Sequence, residues 1–102
     1  MVSLIDTHIH LDAPELAGRG FELLPAARQE GIQQFVIPGV RVAGWGVMVK
    51  YAENNSGIYL APGLHPAYAD QWSDVVASQL ETLAREPKVV AIGEIGLDGV
   101  CL

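Results

Sequence analysis

The chain reads as an α/β fold built on a parallel sheet. Short apolar stretches alternate with segments whose apolar residues recur at helical spacing, giving the order β-α-β-α-β-α-β over residues 4–98. The strand candidates are nearly continuous in apolar residues rather than alternating, the pattern of strands covered by helices. All three histidines fall where a strand candidate ends, the edge at which parallel α/β folds carry their chemistry.

The first strand starts at Leu4 and runs through Ile5 and Asp6 into Thr7-His8-Ile9-His10-Leu11-Asp12. Side chains of extended backbone alternate faces, so His8 and His10 point one way and Ile9 the other. Two neutral imidazoles on one face can converge on a divalent cation at roughly 2.0–2.1 Å, with Asp6 and Asp12 close by. The pair alone also fits two ordinary histidines, because a metal site needs further ligands.

Residues 13–20 form a loop containing Pro14, Gly18 and Gly20. Phe21, Leu24, Ala27 and Arg28 then recur at helical spacing, with Pro25 tolerable in the first turn and Gly31 placed as a helix C-terminal glycine. Residues 34–38 read as a buried strand closed by Pro38-Gly39. The second helix is predicted over residues 42–53, with Trp45, Val49 and Ala52 inward, although Gly44 and Gly46 weaken it. Asn54-Asn55-Ser56-Gly57 stops it, and a strand follows over residues 58–62. Gly63-Leu64-His65-Pro66 makes a rigid turn, and a polar loop leads to Ser73. The third helix is predicted over residues 74–86, burying Val76, Leu80, Leu83 and Ala84 and ended by Pro87. A fourth strand is predicted over residues 88–98, with Glu94 near its end.

Composition narrows the function classes. At 102 residues there is room for one small domain, and a hydrophobic fraction of 50% excludes a disordered chain. Twelve acids against six bases give a net charge of −6, which excludes a broad basic surface for duplex nucleic acid. No apolar run is long enough to span a bilayer, and no signal-peptide pattern opens the chain. The lone cysteine, Cys101, cannot form an internal disulfide, so a cytoplasmic setting is the default expectation.

Asp6-Thr7-His8-Ile9-His10-Leu11-Asp12, Gly63-Leu64-His65-Pro66 and Gly93-Glu94-Ile95-Gly96-Leu97-Asp98 together resemble, in order and spacing, the first three signatures of the TatD family. These are metal-dependent hydrolases, usually described as TatD-type deoxyribonucleases, among the amidohydrolase-like (β/α)8 barrels. A bare H-x-H is common to that whole group; the three motifs in sequence are specific. The resemblance implies that His8 and His10 bind one metal of a pair and that Glu94 is shared between both. The cations would be Zn, Mg or Mn, and the substrate DNA or a short oligonucleotide whose phosphodiester is hydrolysed by metal-activated water. His65 would contact a substrate phosphate or the attacking water; the alternative is that it fixes its own turn. Asp6, Asp12 and Asp98 would brace loops or stand behind the ligands. The acidic balance fits strand ends or short single strands better than duplex, and an ester or amide substrate remains chemically open.

The likeness also implies what is missing. A full barrel takes roughly 250 residues, so residues 1–102 would form about the first half of a TIM-type (β/α)8 barrel. The further histidine ligands and the general-base aspartate of the family belong to the other half. Four strands without closure leave open edges at the first and the fourth, which favours self-association. A non-catalytic half barrel is therefore the competing reading.

Overall fold

Three parallel strands, β1 (Leu4–Asp6), β2 (Ile32–Pro38) and β3 (Ile58–Ala61), lie side by side in chain order in a computed structural model describing residues 2–16 and 18–100. Pairing runs Asp6 to Phe35 between the first two strands and Ile37 to Leu60 between the second and third. The register of β1 slips between Leu4 and Ile5, so the first strand is held less regularly than the others. Crossovers pass through α1 (Leu24–Gln29) and α2 (Val42–Asn54), and α3 (Asp74–Leu83) follows β3.

Local chemistry explains the helix bounds. A 3-10 turn over Gly20–Leu23 leads into α1, so Phe21 lies ahead of the α-helix proper. Pro25 sits in the first turn of α1, where its missing N–H removes no helical bond. Gly31, at φ +99°, supplies the left-handed residue that ends the helix and opens β2. Along α2, Trp45, Met48 and Ala52 are buried on one face, which outweighs the low helix propensity of Gly44 and Gly46. Ser73 caps α3, its Oγ accepting from the Val76 N–H at 3.1 Å.

The core consists of Leu11, Leu24, Phe35, Ile37, Trp45, Met48, Ala52, Ile58 and Leu60. Phe35 and Ile37 of β2, Ile58 and Leu60 of β3 and the inner face of α2 dominate it. Leu11 enters from the loop after β1. The Trp45 indole N–H donates to the Gly63 carbonyl at 3.0 Å, so α2 is tied to the turn following β3 as well as packed on the sheet.

Three expectations need correction. The third helix ends at Leu83 rather than at residue 86: Arg85 and Glu86 donate back three residues, to Thr82 and Leu83. Residues ahead of Pro87 disfavour α geometry, so the end tightens into a turn. Consequently Ala84 is exposed, while Val76, Leu80 and Leu83 pack only partly against the core. The polar loop after His65 contains a 3-10 segment, Pro66–Gln71, that the sequence did not suggest.

The fourth strand is not formed as a strand. Residues 88–90 run beside β3 through one parallel bridge, Leu60 to Val89, with Leu60 N–H donating to Lys88 O and Val90 N–H to Leu60 O. The chain then leaves the ladder. Gly93 donates to Pro62, and Glu94 donates instead to Gly39 at the end of β2. No second neighbour flattens this segment among the described residues, and its destination lies across the end of β3 rather than along it. Cys101 lies outside the described residues. Among the described residues no helix is long and apolar enough to cross a membrane.

Candidate metal centre

The site begins with the backbone at the C-terminal ends of the strands. After Asp6 the chain bends, and the Asp6 carboxylate accepts the His8 N–H at 3.1 Å. Ile9 N–H then donates to Val36 O at 3.2 Å, which continues the alignment with β2, while the Ile9 side chain packs against the core. With Ile9 fixed inward, His8 and His10 stand on the opposite side, their ring centroids 5.0 Å apart and nearly perpendicular.

Glu94 reaches the same point from the other flank. Its N–H donates to Gly39 O at 2.7 Å, and Gly39 N–H donates in return to Gly93 O at 2.7 Å. The approach demands glycine. A Cβ on Gly63 would stand 2.6 Å from the Gly93 carbonyl carbon and 2.7 Å from Glu94 O, and one on Gly39 would meet the Gly63 nitrogen at 2.5 Å. Three backbone segments thus meet where side chains would hold them apart, and the Glu94 carboxylate emerges over the histidines.

Glu94 Oε2 lies 3.3 Å from His10 Nε2 and 3.9 Å from His8 Nε2. One donor atom from each of the three residues lies within 4.8 Å of the others. Two ligands each roughly 2.1 Å from a tetrahedral cation stand about 3.4 Å apart, so two imidazoles and a carboxylate at this spacing fit a divalent ion. Three protein ligands would leave an open position, the arrangement of catalytic rather than purely structural sites. The donor chemistry, mixed nitrogen and oxygen, does not single out one metal.

The remaining candidates stand apart from this group. His65 Nδ1 accepts the Ala67 N–H at 3.0 Å and so caps its own turn; with that nitrogen occupied, the neutral ring carries its proton on Nε2. Asp98 accepts the Val100 N–H at 2.9 Å in a local turn, as Asp6 does at the other end of the site. Asp12 lines a neighbouring cleft shared with His10. Burial pushes its carboxyl up from the ordinary range, opposed in part by a backbone hydrogen bond and by the His10 charge.

Sequence reasoning missed Gly39 and Gly63 as the residues that seat Glu94, and Trp45 as the side chain that holds Gly63. It also passed over Arg41 and Tyr68, which line the cleft with Asp12. One signal was available: Arg41 follows Pro38-Gly39-Val40, the loop at the end of β2, on the same edge as the histidines.

Comparison with known proteins adds ancestry to this geometry. Residues 5–101 match the family described as TatD related DNase. The chain is 42% identical over 96 residues to the uncharacterized metal-dependent hydrolase YjjV of Escherichia coli K12, covering 92% of this chain and 37% of the relative. It is 34% identical over 95 residues to the 3'-5' ssDNA/RNA exonuclease TatD of Klebsiella pneumoniae strain 342, covering 93% and 36%. The crystal structure of the Escherichia coli YjjV protein, a TatD homolog, superposes with a TM-score of 0.83 at 39% identity, covering 94% of this chain and 38% of that one. The chain therefore spans a little over a third of the length of the relatives it matches.

Proposed function

The chain belongs to the TatD related DNase family, and from that premise we propose that it forms the N-terminal part of a metal-dependent hydrolase acting on phosphodiester bonds of DNA. The observation that carries this reading is the convergence of His8, His10 and Glu94. A bound divalent cation would supply Lewis-acid activation of water and of the phosphoryl oxygen. The chain's own part is to hold that charge. His8 and His10 present neutral nitrogens from one side, and Glu94 presents its carboxylate from the other, able to be shared with a second cation. Asp6 orients the His8 backbone, and the His65 Nε2–H can donate to a substrate phosphate. The general-base aspartate of the family is not among these residues and would come from the remaining part of a barrel.

Single-stranded nucleic acid is the favoured substrate, because the exonuclease relatives bear that name and a net charge of −6 disfavours broad duplex contact. An ester or amide substrate is the reading to test against it. One observation supports a second class of function. The chain leaves Ile95, Leu97 and Val100 exposed, as expected of a half barrel that holds a metal without turnover and associates through its open edges.

Metal uptake and oligonucleotide cleavage test these readings together. The chain should take up about one divalent ion per copy, and Glu94→Gln should lower affinity by about tenfold or more while circular dichroism stays unchanged. Cleavage of a short single strand that disappears in Glu94→Gln supports the nuclease. Metal uptake without cleavage, even when the remaining part of the barrel is supplied, supports the half-barrel reading, and no uptake defeats both.

A further inference from the structure

The six cationic side chains differ sharply in what they touch. Arg19 pairs with Glu22 and Arg85 with Glu81, each within a single turn. Arg28 donates to Ser56 O at 2.8 Å. Lys88 donates to Ile58 O at 3.0 Å and lies over the Tyr59 ring. Lys50 is exposed on α2. Arg41 is different: it is half-buried, has no hydrogen-bond or ion-pair partner for its guanidinium among the described residues, and lines a cleft of about 400 Å³.

That cleft opens beside the metal centre, because His10 forms part of its wall. Arg41 is the one Lys or Arg along it; Asp12 and Glu15 are its acids, and Met48 and Tyr68 supply apolar and aromatic surface. The volume is within the range of small-ligand sites. The Val42 N–H at the start of α2 is already taken by the Gln71 side chain at 3.1 Å, and the guanidinium carries the one Lys or Arg charge on the wall. An arginine without a partner in a cleft that also carries an aromatic ring suits a phosphate and its base, the fork binding phosphate oxygens and the ring offering a stacking face. Asp12 and Glu15, also on the wall, disfavour an anion that does not engage Arg41.

We propose that this cleft takes the nucleotide next to the scissile phosphodiester, with Arg41 holding that nucleotide's phosphate and Tyr68 its base. The inference rests on the nuclease reading above and assigns Arg41 the role of a substrate-positioning residue outside the metal ligands.

Binding of two short oligothymidylates to the manganese-loaded chain tests it, one with cleavage-resistant, charged phosphorothioate links and one with uncharged methylphosphonate links. Arg41→Gln should weaken the charged strand by about tenfold and leave the uncharged strand and the manganese affinity unchanged, with Arg41→Lys between wild type and Gln. Tyr68→Ala should weaken both strands by a similar factor. Charged-strand binding that is the same in Arg41→Gln and wild type overturns the Arg41 assignment and leaves the nuclease reading standing. An equal loss for both strands in Arg41→Gln also overturns it, since charge recognition is then absent. A wild-type chain that takes up manganese yet binds neither strand defeats the nuclease reading and this inference with it.

Discussion

The middle of the sheet and its flanks are built to different standards. Ile37 of β2 and Ile58 of β3 are 0% exposed, and α2 covers them. On the flanks, Ile5 of β1 is 57% exposed and Leu97 beyond the last bridge is 88% exposed. Yet the candidate ligands come from the flanks: His8 and His10 follow β1, and Glu94 lies in the segment that fails to form a strand. Precision at the centre therefore does not come from packing alone, although Ile9 and Leu11 reach the core. It also rests on hydrogen bonds that moor those segments to the well-packed strand ends, Ile9 to Val36 on one side and Glu94 to Gly39 on the other.

The largest expected effect tests the first half of this contrast. Ile37→Ala should destabilise the chain by about 2–5 kcal/mol in denaturant titration, the range for truncating a fully buried aliphatic. Leu97→Ala, of similar chemistry, should stay within about 0.5 kcal/mol. Comparable losses at both positions would break the comparison.

Gly63→Ala sharpens the second half. The added methyl meets the Gly93–Glu94 backbone, so the carboxylate should shift and metal affinity fall by about tenfold, or roughly 1.4 kcal/mol. Helix content by circular dichroism should be retained, and a metal affinity equal to wild type would show that Glu94 is placed by something other than this close approach. The smallest effect concerns the edge. Ile5→Lys should change stability by no more than about 0.5 kcal/mol while lowering any self-association seen by light scattering, because a charge on an edge strand opposes pairing.

Much of this was legible in the sequence because it depends on local patterns. The H-x-H spacing put two imidazoles on one side since Ile9 had to face the core, and the apolar runs at residues 34–38 and 58–62 announced buried strands. The stretch 88–98 has the composition of a strand and misled for that reason. Whether apolar residues form a strand depends on a neighbour to pair with, and composition does not report neighbours. Gly39 and Gly63 looked like ordinary turn glycines; their crowding is a relation between segments 24 residues and more apart. Arg41 carried no motif, and only the fold sets it beside His10.

The mooring through amide groups has a consequence for divergence. A ligand frame hung on main-chain N–H and C=O groups is indifferent to most side-chain replacement at the anchoring positions, since any residue but proline offers the same donor and acceptor. Val36 can drift to another strand former without moving His8 or His10. The tolerance stops at the two glycines, where a single methyl is enough to intrude. Lineages can therefore rewrite the walls of the neighbouring cleft while the triangle of His8, His10 and Glu94 stays where it is.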